Sequence, residues 1–262
     1  MLKKRILSGI IGIPLALFII YMGGISYTIA ILVLAILGLE EYNRLSLKGS
    51  YTFPRNLSFV LAFLYFIMLY SGAPYVLEMF LVFLLFPLSF YFVFIHEFNL
   101  RDLLFASWGM IYIIWLFGFL IVLRDLPEGL TYTLLLFIAI WLNDIAAFFV
   151  GSYLGKHKLI PRVSPNKTIE GAAGGLAVTV IFVLLFRGYI NFAFSTALLA
   201  GLLISIFGQA GDLVESAIKR SLKVKDSGDI IPGHGGILDR FDSVLFVAPI
   251  LYFYIKIVLK VL

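Results

Sequence analysis

Long apolar runs separated by short polar stretches dominate the chain; IIGIPLALFIIYMGG, YVLEMFLVFLLFPLSFYFVFI and LTYTLLLFIAIWLNDIAAFFVG are three of them. A helix needs roughly 20 mainly apolar residues to cross the hydrocarbon of a bilayer. Membrane β-barrels read instead as alternating segments of about ten residues, and these runs do not alternate. The pattern predicts an all-α, polytopic integral membrane protein. Nine transmembrane helices are expected, near 6–22, 25–40, 57–71, 75–95, 103–123, 130–150, 171–187, 192–212 and 241–260.

Composition strengthens this reading. Only 13% of the 262 residues are charged, against about 25% in a soluble domain. The first span follows Met-Leu-Lys-Lys-Arg. With no small-residue cleavage site after it and further spans directly behind, it reads as an uncleaved first helix rather than a signal peptide. Lys and Arg then set the orientation, because they accumulate on the cytoplasmic side. With the N-terminus in the cytoplasm, the inside segments 1–5, 41–56, 96–102, 151–170 and 213–240 carry 16 of the chain's 20 Lys and Arg residues. An even number of spans, or the flipped orientation, spoils that bias. The C-terminus falls outside.

There are no cysteines, which excludes disulfides, thiolate metal sites and cysteine nucleophiles. His96, His157 and His234 are scattered, which argues against a histidine-rich zinc cage. No internal repeat is evident. The early spans are rich in Phe, Leu and Ile, whereas polar residues concentrate from Asn143 onward. Residues 1–125 read as mainly structural transmembrane helices and residues 126–262 as the catalytic region, its polar site facing the cytoplasm.

Three polar clusters carry the candidate chemistry. Asn143 and Asp144 lie inside a predicted span. A carboxylate there costs roughly 3 kcal/mol on insertion scales, so the pair must face a polar cavity or a partner. A site is the favoured reading, with an interhelical hydrogen bond as the bland one. The second cluster, Ser164-Pro165-Asn166-Lys167-Thr168-Ile169-Glu170-Gly171, precedes the seventh span. Asn166 or Thr168 can cap the following helix. A helix start with free N–H groups, flanked by Lys167 and Thr168, suits a phosphate; a capped helix with a snorkelling lysine accounts for it equally well.

The third cluster begins at Asp212. If the eighth span stays helical past its apolar part, Asp212, Glu215, Ser216, Lys219 and Arg220 share one side of it. A solvated, salt-bridged helix end is the plain alternative. Beyond come Lys225, Asp226, then Pro232-Gly233-His234-Gly235-Gly236 and Asp239-Arg240-Phe241-Asp242. Successive N–H groups of such a glycine-rich turn can form an anion nest. Asp212 and Asp239 stand at opposite ends of one cytoplasmic excursion. If folding joins them, two carboxylates beside a phosphate site offer the hard oxygen ligands that Mg²⁺ takes.

SAIKRSLKVKDSGDIIPGHGGILDRFDS, residues 216–243, closely resembles the signature of the phosphatidate cytidylyltransferases, or CDP-diacylglycerol synthases. Ser216, Lys219, Arg220, Lys225, Asp226, Pro232, Gly233, His234, Gly235, Gly236, Asp239, Arg240 and Asp242 fill that pattern without a gap. SPNKTIEG and NDIAAFFVG are similar to two further motifs of the family. The resemblance covers at least residues 141–243; the first five spans match only in general character.

The resemblance implies a reaction of CTP with phosphatidic acid that gives CDP-diacylglycerol and pyrophosphate in phospholipid biosynthesis. It implies Mg²⁺ as cofactor, with a second cation left open. Asp212 and Asp239 are the expected metal ligands, with Glu215, Asp226 and Asp242 as second choices. Lys167, Lys219, Arg220 and Arg240 are expected to neutralise substrate phosphates. Gly233, His234, Gly235 and Gly236 shape a phosphate turn, with a proton-transfer role for His234 left open. Ser164, Asn166, Thr168 and Ser216 complete the expected substrate-binding set, and Asn143 and Asp144 line its cavity. The expected place is a cell's inner (plasma) membrane, with the site on the cytoplasmic side. No nucleic-acid partner is expected, and Gly- and Phe-rich span surfaces suggest a homodimer. A CTP-using lipid kinase and a transporter are the rival readings.

Overall fold

A computed structural model describes residues 2–230 and 235–258. The described chain is mainly helical. α1 (Leu2–Met22), α2 (Gly24–Lys48), α3 (Arg55–Tyr70) and α4 (Val76–Phe94) are followed by α5 (Leu100–Met110). A wide π-helical turn at Ile111–Trp115 joins α5 to α6 (Leu116–Arg124), so the three form one continuous rod. Then come α7 (Gly129–Leu154), strands β1 (Lys158–Ile160) and β2 (Ser164–Thr168), α8 (Ile169–Phe186), α9 (Phe194–Ser221) and α10 (Leu238–Val258).

Each predicted span corresponds to one of these rods. Among the described residues, six rods are both long and apolar enough to cross a membrane: Gly24–Lys48, Val76–Phe94, Leu100–Arg124, Gly129–Leu154, Ile169–Tyr189 and Phe194–Ser221. Gly12–Met22 and Arg55–Tyr70 are apolar but shorter. The helices overrun their apolar cores. α2 continues to Lys48, α7 to Leu154 and α9 to Ser221. Polar residues decorate the extensions of α2 and α9 without breaking them, since Glu, Arg and Lys are good helix formers. Expected as wholly α-helical, the chain also holds one small antiparallel hairpin, with Lys158 opposite Thr168 and Ile160 opposite Ser164.

The chain divides into two compact units. The first comprises residues 1–122 together with the excursion 222–240. Its core lies along α2, where Ala35, Leu39 and Tyr42 are fully or almost fully buried. The Tyr42 hydroxyl donates to the Phe105 carbonyl on α5 at 3.0 Å, and its ring stacks on Phe105. α5 starts with a capping box: Asn99 accepts from the Arg101 and Asp102 N–H groups, while the Asp102 carboxylate accepts from the Asn99 N–H. Asp102 also accepts from the Thr52 N–H at 2.8 Å, which ties down the loop before α3. Leu85, Phe86, Phe90, Val93 and Phe94 of α4 are exposed, as befits side chains that face lipid rather than water.

The second unit comprises residues 123–221 and 241–262. Here α8 packs closely on both α7 and α9, and glycines permit the approach. A Cβ on Gly171 would lie 2.7 Å from the Ala147 carbonyl oxygen of α7, and one on Gly201 would lie 2.9 Å from the Val180 Cα of α8. Small residues of this kind let membrane helices pack backbone to backbone. The fit sets the register at which the polar ends of α7, α8 and α9 meet.

Candidate functional site

In the second unit, the hairpin and α8 present the second cluster. The Thr168 side chain caps α8, its Oγ1 accepting from the Gly171 N–H at 3.1 Å. Of the two candidate caps, Thr168 is therefore the one used. The Ile169 N–H donates to the His157 carbonyl at 2.9 Å. The His157 ring lies 2.6 Å from Glu170 through Nδ1, so both ends of the hairpin are fastened to the first turn of α8. Lys167, the last residue but one of β2, points its ammonium at α9 and forms an ion pair with Asp212. Ser216, one turn on, donates to the other oxygen of Asp212 at 3.3 Å. The structure thus joins the second cluster to the start of the third.

α9 stays helical to Ser221, so the expected one-sided arrangement forms. Lys219 and Glu215 pair with each other and are buried. Arg220 is exposed and donates through Nε to the Val163 carbonyl of the hairpin at 3.3 Å. On α10, Asp242 lies within the electrostatic reach of Asp212, Asp144 and Lys219. Carboxylates from α7, α9 and α10 therefore share one neighbourhood, with Lys167 and Lys219 as the cations beside it. Gly211 makes this possible: its Cα faces the Asp242 carbonyl, and an added Cβ would lie 2.5 Å from that oxygen.

Asn143 and Asp144 separate by depth. Asn143 is 2% exposed. It donates to the Ser205 hydroxyl at 2.9 Å and accepts from Gln209 at 3.4 Å. Gln209 also donates to the Ala172 carbonyl at 3.0 Å. This knot ties α7, α8 and α9 together, so Asn143 makes the interhelical hydrogen bond that was the plain alternative. Asp144 is exposed. Ser205 belonged to none of the expected clusters; its signal was a hydroxyl four residues before Gln209 inside an apolar run. Ser164 is half-buried and Asn166 exposed on β2.

In the first unit, the excursion 222–240 folds on α2. The Asp239 Oδ2 accepts from the Ser227 N–H at 3.0 Å, the Ser227 hydroxyl at 3.0 Å and the Gly236 N–H at 2.8 Å. Gly236 therefore directs its N–H at Asp239. Gly235 has φ +83°, a left-handed conformation that glycine adopts without steric cost. Lys223, Lys225 and Asp226 are exposed, as is Arg240 at the start of α10. Gly233 and His234 lie outside the described residues.

One further acid meets this excursion. Glu41 of α2 is fully buried. Its carboxylate accepts from the Ile237 N–H at 2.7 Å, the Leu238 N–H at 3.0 Å and the Ser227 hydroxyl at 3.1 Å. Sequence reasoning did not single it out, because its partners lie 186 to 197 residues away.

Among the described residues, no three His, Asp or Glu side chains already form a metal cage. Mg²⁺ does not call for one: it keeps several waters and is typically held by one or two carboxylates plus substrate phosphates. Asp144, Asp212 and Asp242 offer carboxylate oxygens, the donor type that such an ion takes.

The cytidylyltransferase family model matches residues 3–258. A phosphatidate cytidylyltransferase of Bacillus subtilis (strain 168) is 37% identical over 264 residues, covering 98% of both chains. Phosphatidate cytidylyltransferases of Staphylococcus aureus (strain COL) and Staphylococcus haemolyticus (strain JCSC1435) are each 38% identical over 256 residues, covering 95% of this chain and 97% of theirs. Likeness of this length runs through the helices as well as the polar clusters, and the chain belongs to the cytidylyltransferase family.

Proposed function

We propose that this membrane protein is a CTP:phosphatidate cytidylyltransferase, which makes CDP-diacylglycerol and pyrophosphate. The observation that carries the reading is the pairing of Lys167 with Asp212, flanked by Ser216 and with Asp242 nearby. It brings the SPNKTIEG motif and the signature stretch to one place, at the polar ends of helices that bury apolar faces elsewhere. The near-full-length likeness to enzymes named for this reaction supports the same substrates.

A phosphate oxygen of phosphatidate attacks the α-phosphorus of CTP, a new phosphoanhydride bond forms, and the bond between the α- and β-phosphates breaks to release pyrophosphate. A phosphate monoester has a second pKa near about 6, so the nucleophile is largely ionised at neutral pH and no strong base is needed. What remains is to bring two polyanions together, a task of positioning and charge neutralisation. Lys167 presents its ammonium beside Asp212, at the start of α8. Arg220 and Arg240 are exposed and supply further donors from their own units. Lys219 is buried against Glu215, so its charge acts on the neighbouring acids and through them on the site.

Mg²⁺ would supply charge neutralisation at the triphosphate. Asp212 and Asp239 are each proposed as ligands within their own units, with Asp242 as a third candidate beside Asp212. Nine crossings, a cytoplasmic N-terminus, a site on the cytoplasmic face of the cell membrane and a homodimer belong to the same proposal. The charge bias of the segments supports the orientation.

The test is pyrophosphate release by purified protein with each of the four nucleoside triphosphates, with and without phosphatidate and Mg²⁺. Release only with CTP, phosphatidate and Mg²⁺ together is expected. Release of CDP instead identifies a kinase, and nucleotide-independent solute flux in proteoliposomes identifies a transporter.

A further inference from the structure

We propose that Glu41 is a positioning residue for this reaction, holding Ser227, the start of α10 and, through them, the Asp239 carboxylate in one arrangement. The inference rests on the proposed reaction for its activity readout alone. Glu41 sits where α2 emerges from its apolar run, and its side chain has no exposed surface. A helix packed only to span a bilayer would place an apolar residue there. A buried carboxylate without partners costs several kcal/mol, and this one is supplied with donors from a single distant excursion.

The geometry is specific. The Oε1 accepts from the Ile237 N–H and the Oε2 from the Leu238 N–H. These belong to the N–H groups that a helix start leaves without an intrahelical acceptor, and a carboxylate there also complements the helix dipole. Glu41 thus caps α10 from outside its own segment. The Ser227 hydroxyl links Glu41 to Asp239, touching Oε2 of one at 3.1 Å and Oδ2 of the other at 3.0 Å. Two glycines make room: a Cβ on Gly228 would lie 2.9 Å from Glu41 Oε1, and one on Gly236 would lie 2.5 Å from Oε2. Placement of Asp239 therefore depends on an acid that lies far from it in the chain.

Because both carboxylate oxygens accept a backbone N–H, Glu41→Gln must turn its NH₂ toward one of them. Two readouts test the proposal. Hydrogen exchange in detergent, without substrates, should show the amides of Ile237 and Leu238 exchanging roughly tenfold faster in Glu41→Gln, the loss expected for one hydrogen bond. The amides of α7 to α9 should not change. Turnover of CTP and phosphatidate should then fall by about 10–100-fold in kcat, the range seen when a residue that orients a ligand is lost, with a smaller change in KM for CTP. Ser227→Ala, a smaller perturbation, breaks the link between Glu41 and Asp239 but leaves the two N–H bonds of Glu41 in place; it should lower kcat likewise with little change in exchange at Ile237 and Leu238, and covers the case in which Glu41→Gln does not fold.

Unchanged exchange at Ile237 and Leu238 in folded Glu41→Gln overturns the anchoring, and unaltered kcat in Ser227→Ala overturns the link to Asp239. Faster exchange with unaltered kcat leaves a simple helix cap and overturns the positioning role. A wild-type protein inert toward CTP and phosphatidate defeats the proposed reaction instead, and the exchange experiment still reads the anchoring on its own.

Discussion

Asn143 and Asp144 follow one another on α7, and one helical step of about 100° sends them to different surroundings. Asn143 is enclosed by Ser205 and Gln209, and Asp144 is exposed within reach of Asp242. Their substitutions should therefore separate. Asn143→Ala leaves the buried polar groups of the knot unsatisfied, which costs about 1–3 kcal/mol. It should lower the melting temperature in detergent, with turnover per folded molecule largely kept. Asp144→Asn should leave melting unchanged and reduce turnover. The opposite pattern, read by thermal melting and pyrophosphate release on the same preparations, would reverse the assignment. Lys167 gives a sharper case. Lys167→Ala removes the cation beside the start of α8 and frees Asp212 from its ion pair. A fall of about 100-fold or more in kcat/KM is expected, the scale of losing one pre-organised charged donor. Kinetics like those of the wild type would reduce Lys167 to a salt bridge that fastens the hairpin to α9.

Between elements, the decisive contact is the close approach of α9 and α10 at Gly211. A methyl group there meets the backbone of Asp242, which cannot rotate away as a side chain could. Gly211→Ala should push the helices apart and move Asp212 relative to Asp242. The expected outcome is an enzyme that still folds but turns over at least about tenfold more slowly, since small displacements of reacting groups are costly. Activity equal to wild type would show that the two acids do not act together. Why some of this was legible beforehand follows from the same physics. The rods were readable because a long apolar run has few alternatives to a helix. That Asp212, Glu215, Ser216 and Lys219 share one side of α9 was readable because i, i+4 spacing is local, whereas the pairing of Lys167 with Asp212 was not, because it joins two clusters far apart in the chain. The strand at Ser164–Thr168 was not, because Pro165 reads as a break and its pairing depends on the far side of the turn. Glu41 was unreadable because Ser227, Ile237 and Leu238 are brought to it only by the tertiary fold. The buried role of Asn143 was named as an alternative, but choosing it required knowing that Ser205 faces it.

At the scale of the molecule, the proposed reaction demands a direction. CTP is a soluble polyanion, so Lys167 and Asp212 must face the compartment that contains it, while phosphatidate stays in the bilayer. In the proposed orientation, drawn from the charge bias, segments 151–170 and 213–240 would lie on that cytoplasmic face and Arg124, Arg187, Lys256 and Lys260 on the other. The absence of cysteine from the chain makes the orientation directly measurable, since any thiol introduced is the sole target. Arg162 on the hairpin and Lys225 in the excursion are exposed, as are Pro127 and Gly188 in the turns predicted to lie opposite. Gly188 has open space where a side chain would go. In intact spheroplasts, a membrane-impermeant maleimide should label Pro127→Cys and Gly188→Cys, and should reach Arg162→Cys and Lys225→Cys only after permeabilisation. Labelling in the reverse pattern would turn the polar ends of α7, α8 and α9 away from the nucleotide and defeat the proposed topology. Labelling of all four from outside would mean that the helices between them do not all cross. Only the expected pattern lets a lipid from the inner leaflet and a nucleotide from the cytoplasm reach Lys167 without either one crossing the membrane.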